Sequence, residues 1–453
     1  MKATRFIILF IALFPIALNA QLEHTLYGFK TVPQLVKLNP AMMPLSKVNV
    51  TLFPALSSVA FGANTSGLTV NQLAAEDISV FEDALSKMKD RNFLTVKNEI
   101  ELLHLGLKLG DNYVSGSVTS HTRFGLAYPG DLARLIWEGN GKSFLGDRAN
   151  MDNLTINTGS YLEYGVGIAR TVGKSLNIGA RVKYLSGLFN VHTRESQLGL
   201  YTDSLSFDLV LDGAFDLRTS GLPNLNDTAE FSLNPQELLF SNNNGLGLDV
   251  GISYEGKGGF NVSGSIINIG RITWKNNVNT YQNPDISFEF SGVPINDILG
   301  GGNDSSSTSS FQVLQDSLSS IFSVGQSKNP YSTSLPTQGF LSFSQSLFDR
   351  VEVGVLGTAI IQDKAIRMGV RANGSIFIGK WLGFTMNYGI YGGSWVNVGA
   401  GLSLAAGPVQ FYVLSDNVLG FIQPFDSKNA HARFGFNLTI GKNYSKARLK
   451  VKA

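Results

Sequence analysis

The sequence predicts an all-β fold, a transmembrane antiparallel barrel of about 14–16 strands. Three observations carry that expectation. The chain opens like an export signal, long stretches alternate apolar and polar residues with a period of two, and every second connection between the stretches is short, with all the long ones falling in between.

The start is basic at Lys2 and Arg5, runs apolar from Phe6 to Leu18, and offers the small residue Ala20 at a cut site. A secretory signal has this plan, and a helix crossing a bilayer needs about 20 apolar residues, more than this run supplies. The expected organisation is a signal over 1–20, a hatch-like periplasmic segment over 21–46, a barrel over 47–441 and a basic periplasmic tail over 442–453. The expected location is the outer membrane, with its lipid as the first partner.

Composition narrows the rest. Charged residues make up 15% of the 453, below the about 25% usual in soluble domains. Glycine is abundant at 49 residues, and no apolar run after residue 20 is long enough for a helical span. The absence of cysteine excludes disulfides and thiolate metal sites, and the 5 histidines are scattered, so no metal or other cofactor is expected. A net charge of +2 without a concentrated basic face excludes a nucleic-acid partner.

The alternation is clear in Leu246-Gly-Leu-Asp-Val-Gly-Ile-Ser-Tyr254, Leu382–Tyr388, Val396–Leu404 and Ala432–Ile440. Period two gives a sheet one apolar and one polar face. Strands are expected near 47–63, 101–109, 113–128, 154–170, 175–188, 189–202, 205–218 and 246–255, and near 259–273, 338–347, 350–361, 364–378, 381–391, 394–405, 408–415 and 431–441. That is roughly sixteen. Every second connection is short, such as 110–112, 171–174, 203–204 and 406–407, and the long ones (64–100, 129–153, 219–245, 274–337, 416–430) fall between them. Short periplasmic turns and long external loops have this rhythm. Within the loops, Ile78–Lys89 and Leu132–Trp137 have helical spacing, and Gly300–Ser320 is a Gly/Ser-rich stretch expected in the largest external loop. Tyr128, Trp274, Trp381, Tyr391 and Trp395 fall near strand ends, where aromatic girdles form.

Two resemblances add to this. Asn39-Pro40-Ala41, soon after the signal, resembles the Asn-Pro-Ala element in the N-terminal hatch of FadL-type barrels, which PorV-type outer-membrane proteins also carry. The segments Asp131–Asn140, Gly179–Lys183, Ile267–Gly270 with Trp274, and Ser415–Gly420 through Gly435 resemble an uncharacterised family of Bacteroidota outer-membrane barrels with a domain of unknown function. The FadL resemblance implies fourteen strands and a conduit for a small, apolar solute. The PorV resemblance implies a barrel that docks envelope or secretion proteins.

Alternation assigns Arg123, Glu163, Arg181, Lys183, Asp208, Asp249, Glu352, Arg367, Arg371 and Arg433 to the lumen face, as wall cross-links or as a constriction that selects a solute. A turn centred between Val172 and Gly173 would set Glu163 opposite Val182, within reach of Arg181 and Lys183. Val172-Gly-Lys-Ser175 and Asn140-Gly-Lys-Ser143 lack the earlier glycine of a phosphate-binding loop, with Ile168 and Ile136 in its place. His104 near serines of the next strand is the one catalytic candidate, for a lipid-modifying enzyme, and a hydrogen-bonded wall histidine is the expected reading. The chain is read as not an enzyme.

Overall fold

The computed structural model describes residues 24–73, 78–222, 239–290, 328–348, 350–362, 365–379, 381–391, 394–423 and 427–441. The signal, the basic tail and Gly300–Ser320 lie outside them.

Fourteen strand positions form a closed antiparallel wall. β1 (Val48–Thr51) and β2 (Ser58–Thr65) share one position between β3 (Asn92–Leu109) and β19 (Asn429–Ile440), and so seal the barrel. From β3 the wall runs through β4 (Asn112–Tyr128), β6 (Thr155–Val172), β7 (Leu176–Thr202), β9 (Asn244–Glu255) and β10 (Phe260–Trp274). It continues through β13 (Thr337–Leu347, with β12, Tyr331–Ser334, beyond its end), β14 (Val351–Gln362), β15 (Ala365–Ile378), β16 (Leu382–Tyr391), β17 (Ser394–Ala406) and β18 (Val409–Ser415). Closure leaves no sheet edge, which a wall in hydrocarbon requires.

Three expectations are corrected. The segments 175–188 and 189–202 are the single strand β7, because no residue separates them and a tight hairpin needs about two. The segment 205–218 is not wall: β8 (Leu209–Ser220) pairs the far half of β7 and, on its other side, β11 (Asn279–Phe290), a strand within the expected loop 274–337. With β5 (Arg148–Asn150) these strands build an outgrowth beyond the loop end of the barrel. Its hairpin tip spans 203–208, so Asp208 sits there, far from the lumen.

The rhythm of the connections survives this recount. β3–β4, β6–β7, β9–β10, β13–β14, β15–β16 and β17–β18 join by short turns at one end, here called the turn end. Longer connections gather at the loop end, where helices Ile78–Ser86 and Gly130–Glu138 pack Phe81 on Trp137 with ring centroids 4.3 Å apart.

Alternation has put the apolar face outside. Val166, Val182, Leu246 and Met368 are 65%, 58%, 67% and 77% exposed, while the intervening Glu163, Arg181, Lys183 and Asp249 are buried in the lumen. An apolar belt this extensive exceeds what a water-soluble monomer presents, and it matches a lipid-facing wall. Trp381 is exposed at the turn end. Trp274 is not a girdle residue: it is buried in an inward cluster with Tyr331 and Leu335, and its indole Nε1 donates to Thr333 Oγ1 at 2.8 Å. Tyr128 lies partly buried, its hydroxyl tucked beside Gly67. The side chains of Tyr391 and Trp395 lie outside the described ones.

Candidate functional site: a plugged, charged lumen

The segment 24–46 precedes the first wall strand and lies inside the barrel. Pro33, Pro40 and Pro44 block a long helix, so it folds as a helical turn (His24–Tyr27), a 3-10 turn (Pro33–Lys37) and irregular chain. Leu26, Tyr27, Phe29, Val32, Leu35, Leu38 and Met42 are buried and pack with the inward apolar residues Ile267, Phe340, Leu356, Tyr412 and Leu414. Tyr27 stacks on Phe340 and Phe29 on Phe377. The segment is therefore a plug with its own small core, and that core fills the turn-end half of the lumen.

Polar bonds fix the plug from its first described residue to its exit. Asp416, at the end of β18, accepts the backbone N–H of His24 (3.1 Å) and of Thr25 (2.7 Å) and the Thr25 hydroxyl (2.6 Å). Arg371 completes this latch, 3.0 Å from both Asp416 and Thr25 Oγ1. Burial, and next the positive charge of Arg371, hold the His24 imidazole well below its ordinary pKa. Lys30 pairs with Glu352 at 2.9 Å. Gln34 donates to Glu101 (2.8 Å) and Asn437 (2.9 Å), and Lys37 pairs with Glu99 and Glu101.

Asn39-Pro40-Ala41 is the seat. The Asn39 amide donates to Tyr27 Oη (2.9 Å) and to the wall carbonyl of Gly264 (3.2 Å), and its oxygen accepts from Ala41 N–H at 3.0 Å. The wall beneath is a cross-strand glycine pair, Gly179 on β7 and Gly251 on β9. A Cβ on Gly179 would lie 2.4 Å from the Pro40 carbonyl, and one on Gly251 would lie 2.1 Å from Asn39 Oδ1. Only glycine at both positions lets the plug backbone reach the wall.

Above the seat lies a buried ionic cluster. Glu163 is 2.8 Å from Arg181 and 3.4 Å from Lys183, and Asp249 is 2.8 Å from Lys183 and 3.5 Å from Arg181. The register behind it differs from the turn-based expectation by three residues. The β6–β7 ladder pairs Val172 with Leu176 and Glu163 with Leu185, not Val182, because the turn is centred one to two residues later. The cluster still forms because Arg181 lies across Gly165, where a Cβ would come 2.2 Å from its guanidinium.

Between this cluster and the loop end is a cavity of about 150 Å³. Lys37 and Leu38 of the plug floor it, and Lys97, Glu99, Arg123, Glu163, Arg181 and Lys183 are among its walls. Arg433 pairs with Glu99 at 3.1 Å, and Arg367 reaches across to stand 4.4 Å over the Phe93 ring.

Residues 40–416 match a family described as one of unknown function, DUF5723. The chain belongs to this family. No curated protein matches the chain. Among solved structures it is similar to a Pseudomonas aeruginosa FadL homologue, at 8% identity over 91% of this chain and 94% of that one, with a TM-score of 0.42. It is similar also to the Ralstonia pickettii toluene transporter TbuX (8%, 91% and 95%, TM-score 0.41) and to the monoaromatic hydrocarbon channel CymD (10%, 95% and 100%, TM-score 0.42). At that identity and overlap nothing about function passes from them to this chain.

Within this family member, the sequence reading missed the plug's wall partners. Asp416 and Glu99 fall in the expected connections 416–430 and 64–100, and Glu101 is the first residue of the expected strand 101–109, with no face assigned to it. The signal was present at 93–100, where Phe-Leu-Thr-Val-Lys-Asn-Glu-Ile is part of β3 with charges in place of an alternating apolar face. His104 is buried, with Nδ1 3.3 Å from Glu101. Its cross-strand neighbour Ser117 accepts a bond from Arg181 at 2.5 Å, so that hydroxyl is engaged elsewhere.

Proposed function

We propose that this protein is an outer-membrane conduit for a small solute, held shut by its own N-terminal segment. The observation that carries the reading is the placement of 24–46: a separately packed plug, bonded to the wall by side chains and not by strand pairing, with a cavity on its loop-end side. Side-chain bonds of this kind can be exchanged without opening the wall. The loop end faces outward, because the chain enters the wall at the turn end, from the compartment into which an export signal delivers it. A solute then enters from the loop end, rests in the cavity and passes when the plug shifts. The cavity walls are charged, which favours a polar solute over an apolar one.

Planar-bilayer conductance tests this. Deletion of residues 24–46 from the secreted chain should yield a folded barrel with a continuously open pore. An unchanged conductance in a folded deletion variant would sink the conduit.

A docking barrel is the second reading, and the outgrowth favours it. At its tip Leu205 and Phe207 are 90% and 60% exposed. Stoichiometric co-purification of an envelope protein, lost when both are changed to Ser, would support it.

A further inference from the structure

We propose that the outer wall at β6, β7, β9 and β10 binds a phosphorylated lipid, with Arg271 and Lys275 on its phosphate and Tyr164, Tyr184 and Leu246 against the rest of it. This goes beyond the conduit reading, which concerns the lumen, and takes from it only the outward orientation of the loop end.

Strand register builds the site. Tyr164 on β6 is opposite Tyr184 on β7, Tyr184 is opposite Leu246 on β9, and Leu246 is opposite Arg271 on β10. Directly opposite residues of a sheet share a face. Here it is the outward face, because Leu246 is exposed while the alternate residues Lys183 and Asp249 are buried in the lumen. Neighbouring strands lie about 4.8 Å apart, so the row covers about 14 Å of wall.

The row stands at the upper edge of the apolar belt. Leu246 is nine residues from Glu255, where β9 ends. That is about 30 Å of strand at 3.3 Å per residue. A tilt of about 40° leaves about 23 Å of height, close to the about 25 Å of an outer-membrane apolar band. Below the row the outward residues are apolar, with Val182, Leu248 and Ile269 exposed. Above it the outward side of β10 continues with Thr273, and the exposed Lys275 follows the strand end. The Arg271 guanidinium therefore sits where acyl chains give way to headgroups.

A loop segment is pinned at the same height. The Tyr164 hydroxyl donates to the Leu239 carbonyl at 2.8 Å, and Phe240 stacks on Tyr164 with ring centroids 5.2 Å apart. Tyr164 and Tyr184 are 6.1 Å apart, and Phe240 is largely exposed. Three rings side by side make an amphipathic pad of the kind that suits the membrane interface.

The two cations have no counter-ion in the protein. Arg271 and Lys275 are exposed, and neither side chain makes a hydrogen bond or ion pair with any described residue. A lipid phosphate supplies what is missing: the guanidinium fork takes two of its oxygens, and Lys275 adds a compact second charge. Another sector of the wall shows the contrast. There β14 and β15 reach the loop end with Ile361 opposite Ile366, both exposed and apolar, and an uncharged edge suits acyl chains alone.

The test is native mass spectrometry of the full secreted chain in detergent, with lipid A as the probe. Lipid A stripped of its phosphates and inorganic phosphate are the comparisons. Saturable binding of lipid A is expected, with the stripped form at least tenfold weaker. One basic side chain near an anionic lipid surface contributes about fivefold, so Arg271→Gln combined with Lys275→Gln should weaken binding at least tenfold. Both changes are at exposed side chains, and gel mobility before and after heating should match the wild type. Arg271→Lys keeps the charge and should retain most of the binding. Lys257→Gln, at the turn end, should change nothing. Equal binding of lipid A and its stripped form would overturn the proposal, as would equal binding by the wild type and the double variant, or an equal loss in Lys257→Gln. Displacement of lipid A by an equal concentration of inorganic phosphate would show a site for free anions and overturn it too. Deletion of the plug leaves these strands in place, so the conduit and the lipid site stand or fall separately.

Discussion

The two halves of the lumen solve opposite problems with similar residues. Toward the turn end, apolar side chains of 24–46 fill the space, and polar groups of the plug meet wall partners: Asn39 on Gly264, Gln34 on Glu101 and Asn437, Thr25 on Asp416. Toward the loop end the described residues leave a cavity, and charges hold one another across strands around it. The difference teaches that a polar lumen face does not by itself make a pore. What the chain lays over that face decides whether it becomes packing surface or binding surface.

The ionic half is the more costly to disturb. Glu163→Gln leaves Arg181 and Lys183 sharing Asp249 alone, and breaking a buried pair from one side costs about 3–5 kcal/mol. Urea unfolding in detergent should show that loss, and a loss below about 1 kcal/mol would mean that water reaches the cluster and screens it.

The plugged half should respond to its latch. Asp416→Asn keeps the shape but removes the charge that accepts from His24, Thr25 and Arg371. Hydrogen bonds to charged groups contribute about 1.5–3 kcal/mol, so the plug's N-terminal end should become accessible to added protease while the wall stays folded. Protection equal to that of the wild type would show that the apolar core alone retains the plug.

The glycine seat sharpens the contrast. Gly251→Val drives a side chain into Asn39, and overpacking of this kind costs about 1–3 kcal/mol. Because the added methyl groups touch the plug and not the ionic cluster, conductance should rise with little change in wall stability. The same substitution at Gly374, where an added Cβ meets nothing, is the control.

The smallest effect lies outside both halves. Asp83→Ala removes an exposed pair with Lys87 on the loop helix, worth about 0.3–0.5 kcal/mol, and should alter neither conductance nor unfolding measurably. A larger change would show that the loop helices bear on the lumen.

The wall was legible because period-two alternation is a local property: each residue of Leu246–Tyr254 reports its own face. The Glu163–Arg181–Lys183 cluster was legible too, although its register was not, since the true turn centre shifts the ladder without altering which face these residues take. Glu352, Arg371 and Arg433 were assigned inward by the same logic, and their partners Lys30, Asp416 and Glu99 could not be named, because none lies on an adjacent strand.

By itself, then, the sequence determined a barrel, its inside and outside, the alternation of turns and loops, and an irregular apolar segment in need of shelter. Tertiary structure decided the rest. It set the number of wall positions at fourteen, because pairing beyond the barrel rim diverts β8 and β11 into the outgrowth. It also decided where the plug seats, because Gly179 and Gly251 become neighbours only when two strands far apart in sequence align. The row of Tyr164, Tyr184, Leu246 and Arg271 arises the same way: alternation gives a residue its face, and only the register gives it a neighbour.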